Sequence, residues 1–120
     1  MKVAITSQGP DLNSAVDPQF GRCHYFVIVD TDTGQTEIID NTANQEALQG
    51  AGIRSAQTLI NRGVQVVISG HVGPKAFSTL QAAGIQIFQG ASGSVQEALE
   101  AWKAGRLSQA SRPDVGGRWR

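Results

Sequence analysis

A chain of 120 residues is long enough for one hydrophobic core and too short for two. Ten basic and ten acidic residues cancel, so no global field draws in nucleic acid or a membrane surface, and charge-driven binding has to be local. A single cysteine, Cys23, excludes an internal disulfide and a multi-cysteine zinc site, and it suits a reducing, cytoplasmic setting.

The opening "KVAIT", residues 2–6, is a short run rich in β-branched residues and predicts a strand. Its apolar stretch is too short for a secretion signal. A long loop follows from Ser7 to about Arg22, broken by Pro10 and Pro18. Loops of that length in small domains commonly serve function. "HYFVIVD", residues 24–30, reads as a strand buried on both faces, and "QTEIID", residues 35–40, pairs back as a hairpin across "TDTG".

A polar loop leads to three helical patterns. Ile53, Ala56, Leu59 and Ile60 share one face, with Gly63 as the stop. The second helix opens at Pro74, uses Ala76, Phe77, Leu80 and Ala83, and closes at Gly84. The third uses Val95, Ala98, Leu99 and Trp102; Ser94 and Glu97 form a capping box, and Gly105 closes it. "VQVVIS" and "IQIF" are strands between them. The order βββαβαβα predicts an α/β domain over residues 1–107. Its mixed five-stranded sheet, joined by right-handed crossovers, resembles a ribonuclease-H-like layout. Residues 108–120 lack periodicity and are expected to be a disordered Gly/Arg-rich tail.

In open α/β sheets, ligands sit beyond the carboxyl ends of the parallel strands. That edge is expected to gather Ser7, Gly21, Arg22, Gly50, Gly52, Arg54, Gly70, Gly73, Lys75, Gly93 and Ser94. Glycine there lets backbone approach a ligand, three helix N-termini point N–H groups at the edge, and the basic side chains favour an anion. Gly52 and Gly73 are expected to be required where helices open on this edge. His71, between Gly70 and Gly73, is expected to be exposed there and is the first candidate metal ligand. Cys23 is second and His24 third, although neighbours on a strand point to opposite faces. CxxC, HxH, HExxH, GxSxG and P-loop motifs are absent, and the first strand supplies no carboxylate for two-metal nuclease chemistry. The chain is therefore not read as an enzyme.

Taken together, "KVAITSQG", "FGR", "GAGIRSAQ" and "GPKAF" resemble the dinitrogenase iron–molybdenum cofactor biosynthesis family, over about residues 2–106. That family includes NifX-like and NafY-like carriers, the NifB C-terminal domain and small single-domain members. The resemblance implies a non-catalytic domain that binds or carries an iron–sulfur or iron–molybdenum–sulfur cluster. It also implies a cluster-assembly or cluster-receiving protein as partner, and the family's company suggests a scaffold ATPase. Nucleic acid and membrane are not expected as partners. The alternative is a metal-free module that binds a small anion or a partner protein.

Overall fold

The computed structural model describes residues 1–45 and 50–111. Five strands, β1 (Lys2–Ser7), β2 (Tyr25–Asp30), β3 (Thr36–Asp40), β4 (Val66–Ile68) and β5 (Gln86–Phe88), form one sheet in the order β3-β2-β1-β4-β5. β2 is antiparallel to both β1 and β3, whereas β1, β4 and β5 run parallel. This is the expected mixed sheet, consistent with a ribonuclease-H-like fold.

β1 is the central strand and helices cover both faces of the sheet, so its alternating side chains serve two cores. Ala4 joins Phe26, Ile28, Val67 and Ile87 on one face, under helices α2 (Ala51–Asn61) and α3 (Pro74–Ala82). Val3 and Ile5 join Val27, Val66 and Ile68 on the other, under α4 (Val95–Lys103). No helix among the described residues is long and apolar enough to cross a membrane.

Three local expectations need correction. The polar loop after β3 contains an additional one-turn helix, α1 (Thr42–Gln45), because the Asn41 carbonyl accepts the N–H groups of both Asn44 and Gln45. Asp40 Oδ1 accepts the Thr42 N–H at 2.9 Å and hydroxyl at 2.7 Å, which holds the Asp40 carboxyl below its ordinary range.

Ile53 leaves the core face of α2 and is 41% exposed. The helix buries Ala51, Ser55, Ala56 and Leu59 instead. Two residues from Ala51 is more than half a turn of helix, so Ile53 points away from the sheet.

The chain after Leu107 also docks further than expected. Gln109 bridges Phe88 and the Ala110 N–H donates to the Ile87 carbonyl at 2.7 Å, so residues 109 and 110 line the open edge of β5. Leu107 and Ala110 each pack against a core. The expected boundary at Leu107 is thus too early by about three residues, because the edge strand offers unpaired backbone groups. The rest of the expected tail, residues 112–120, lies outside the described residues.

Candidate functional site

The long loop folds back on the sheet and is sewn to β4. Thr6, buried at the end of β1, donates its hydroxyl to the Asp17 carbonyl at 2.7 Å and lies 3.1 Å from the Ser69 hydroxyl. The His71 N–H donates to the Pro18 carbonyl at 2.8 Å, and the Phe20 N–H donates back to the His71 carbonyl at 3.2 Å. A side chain on Gly70 would meet Pro18 backbone at 2.6 Å, so only glycine permits this approach. Gln89 Oε1 accepts the Val72 N–H at 2.8 Å and holds the far side of the turn.

These ties leave an open cleft of about 530 Å³, lined by residues 19–22, 50–53, 71 and 73–76. Gly21, Arg22, Gly50, Gly52, His71, Gly73 and Lys75 from the expected set all line it. Gly21 and Gly52 bring its walls together: a Cβ on Gly21 would lie 2.7 Å from the Gly52 Cα, and one on Gly52 would lie 3.1 Å from the Ala76 Cβ. Gly50 takes a left-handed φ of 74° as the residue opening α2. Gly73 differs from the expectation. It has an ordinary φ of −70°, and a Cβ there would meet nothing within 4 Å.

The helix ends at this edge are not equivalent. Among the described residues, neither α2, opened by Gly50, nor α3, opened by Gly73, has a side-chain cap. Both openings line the cleft. The expectation of a third free N-terminus fails at α4. There the Ser94 N–H donates to Glu97 Oε1, and the Glu97 N–H donates to Ser94 Oγ. The Val95 and Gln96 N–H groups donate to the Ser14 and Leu12 carbonyls. Gly93 and Ser94 line a separate cleft of about 460 Å³ with residues 13, 15, 16, 18, 91 and 92. Pro18 faces that cleft and Gln19 the first one, so the 17–20 segment divides what the sequence suggests is a single edge.

The remaining expected residues fall behind or beside the cleft. Ser7 is fully buried, and its hydroxyl donates to the Gly9 carbonyl at 2.6 Å. Arg54 is exposed on α2 and is not among the lining residues. Arg22 donates from Nη1 to the Gln45 carbonyl at 3.0 Å.

The three candidate metal ligands do not converge. His71 reaches the cleft but is half-buried rather than exposed, because its backbone is clamped between Pro18 and Phe20. Cys23 is 0% exposed in the core. Burial, with the charge of Asp17 as a lesser cause, pushes its thiol far above the ordinary range. His24 is exposed beside β2, with Nδ1 3.3 Å from Asp17 Oδ2 and Nε2 3.0 Å from Gln45 Nε2. Since an amide nitrogen donates, the tautomer with its proton on Nδ1 satisfies both contacts. Among the described residues, no three of His, Cys, Asp and Glu group to hold a metal ion.

Sequence reasoning missed Asp17, Asn41, Ser55 and Gln89, polar residues that fix the cleft walls from behind. Asp17, Asn41 and Gln89 are signalled only by position, next to a proline, a strand end and a glycine turn, and Ser55, inside α2, carries no such signal.

Similar proteins place the chain as a whole. A protein of Methanocaldococcus jannaschii that is itself uncharacterised is 35% identical over 112 residues, 91% of each chain. The apo form of the orange protein from Desulfovibrio gigas superposes with a TM-score of 0.91 at 43% identity, covering 94% of this chain and 95% of that one. A Thermotoga protein solved by NMR gives 0.85 at 40% identity, covering 97% and 98%. Residues 1–105 match the family described as "Dinitrogenase iron-molybdenum cofactor". With the family matched across nearly the whole chain, the protein belongs to the dinitrogenase iron–molybdenum cofactor family.

Proposed function

We propose that this protein binds an anionic iron–sulfur or iron–molybdenum–sulfur cluster as cargo in the cleft between α2 and α3, and passes it on without catalysing a reaction. The observation that carries the reading is the contrast between helix ends. α4 satisfies its first-turn N–H groups within the protein, whereas the two helices that open on the cleft have no side-chain cap among the described residues. Uncapped N-termini favour negative charge. Arg22 and Lys75 line the same cleft and add cationic charge.

The donor set fits an anionic cluster held through its surface rather than one wrapped by protein ligands. Backbone N–H groups and a guanidinium donate hydrogen bonds to sulfide or oxide, and His71 is the one imidazole on the wall. The family consists largely of non-catalytic cofactor-binding proteins, which supports a carrier role. A cluster-assembly or cluster-receiving protein is the partner that such a role calls for, and the family's company suggests a scaffold ATPase.

The test is anaerobic purification and reconstitution with iron and sulfide, with and without molybdate, followed by metal analysis and absorption spectra. Stoichiometric metal is expected in wild type, reduced retention in Arg22→Ala and Lys75→Ala, and an altered spectrum in His71→Ala. A colourless wild type that takes up no metal overturns the reading. It would favour a metal-free anion or partner-protein module instead, for which the exposed Ile53 on the cleft wall is the supporting observation.

A further inference from the structure

Asn41 stands at the end of β3 and is 3% exposed, yet it lies in a stretch that reads as polar loop. A buried amide has to satisfy its donors and acceptors locally. Its Nδ2 donates to the Gly21 carbonyl at 3.2 Å and to the Cys23 carbonyl at 3.0 Å. Its Oδ1 accepts from Asn44 Nδ2 of α1 at 3.0 Å. The Ser55 hydroxyl, buried on α2, donates to the same Gly21 carbonyl at 3.0 Å and stands 3.3 Å from Asn41 Oδ1. One side chain thus joins β3, α1, α2 and the turn that carries Arg22.

The two carbonyls held by Asn41 bracket Arg22 and Cys23. Fixing the peptide planes on both sides of that pair restricts the soft dihedrals between them, and so fixes the direction in which Arg22 leaves the backbone. The same turn rests on Gly52 with no room for a side chain, so it cannot slide along α2. We infer that Asn41, assisted by Ser55, is the positioning residue of the cleft: it sets where the Arg22 guanidinium meets an anionic ligand. The inference rests on the cleft being an anion site.

A double-mutant cycle separates positioning from general stability, because residues that act through one another are not additive. Tetrathiomolybdate serves as the probe, titrated anaerobically and followed by absorption, at a temperature where circular dichroism shows every variant folded. Arg22→Ala is expected to weaken binding about tenfold, the size of one charge-assisted hydrogen bond. Asn41→Leu, close in shape and uncharged, should weaken it by a similar factor in the wild-type background and less than twofold beside Arg22→Ala. Equal weakening in both backgrounds, or none in either, overturns the inference.

If Asn41→Leu does not fold, Ser55→Ala removes only one donor to the Gly21 carbonyl. It should weaken binding about threefold with Arg22 present and leave affinity unchanged without it, and additive effects again overturn the inference. If wild type takes up no probe, or Arg22→Ala binds like wild type, the anion-carrier reading fails. The placement of the turn is then judged by NMR alone. Loss of the α-proton contact between Gly21 and Gly52 in Asn41→Leu supports positioning; an unchanged contact and unchanged Arg22 amide shift overturn it.

Discussion

Gly21→Ala probes the closest approach in the cleft. The new methyl would lie 2.7 Å from the Gly52 Cα, 2.8 Å from the Gly52 nitrogen and 3.3 Å from the Ala51 carbonyl carbon. All three are backbone atoms, so no flexible side chain can swing aside. Ordinary contact begins near 3.4 Å, so the turn and the start of α2 must part by roughly 0.7 Å. Retreat is blocked on both sides. Behind α2, Gly52 already faces the Ala76 methyl, and the Gly21 carbonyl is held both by Asn41 beyond β3 and by Ser55 of α2 itself. Overpacking of this kind costs about 1–3 kcal/mol. In a domain of this size that lowers the melting temperature by about 4–12 °C. Urea denaturation with an unchanged m-value, read beside the thermal melt, assigns the loss to the folded state. A Gly21→Ala variant within about 0.5 kcal/mol of wild type would refute the idea that the two backbones are in hard contact.

Gly73 makes the opposite case: it has open space and an ordinary φ, so Gly73→Ser should cap α3, gain about 0.5–1 kcal/mol in denaturation, and weaken anion uptake by occupying the N–H groups. Equal or tighter uptake by that variant would count against α3 as part of the site. Cys23 stays a thiol in the fold while the unfolded thiol ionises near its ordinary value. Stability is therefore fully present below that value and lost as pH rises above it, by up to about 1.4 kcal/mol per pH unit. Urea melts from about pH 8 to 10 should show this slope in wild type and a shallower one in Cys23→Ala; parallel slopes would contradict the burial argument. Truncation after Leu107 removes the Gln109 and Ala110 contacts with β5 and should cost about 1 kcal/mol, or about 4 °C in the melt. An unchanged melt would mean that the edge strand needs no cover.

Strands, helix starts and the parallel half of the sheet were legible because they depend on local signals: β-branched runs, Pro74 at a helix start, the Ser94–Glu97 box. The edge that holds the cleft was legible too, since topology places strand ends together. What local pattern cannot encode is which distant atom meets which. Gly21 and Gly73 look alike in sequence, yet one touches backbone thirty-one residues away and the other touches nothing. The self-sufficiency of α4 depends on the carbonyls of Leu12 and Ser14, which accept its N–H groups from a loop distant in sequence. Ile53 fits an apolar helical period, but α2 docks on the face that carries Ala51, Ser55, Ala56 and Leu59, a tertiary choice that leaves Ile53 outward. Asn41 passes for a loop residue until its carbonyl partners at Gly21 and Cys23 are known.

The tie from Gln89 to the Val72 N–H bears on the protein as it is being made. Every lining residue of the cleft has left the ribosome's exit once residue 76 emerges, but the turn that carries His71 still lacks its outer support. Until β5 follows and pairs with β4, a nascent chain has the parts of the cleft without its rim. A growing polypeptide therefore gains every lining residue of the cleft before it gains the side chain that holds Val72 in place.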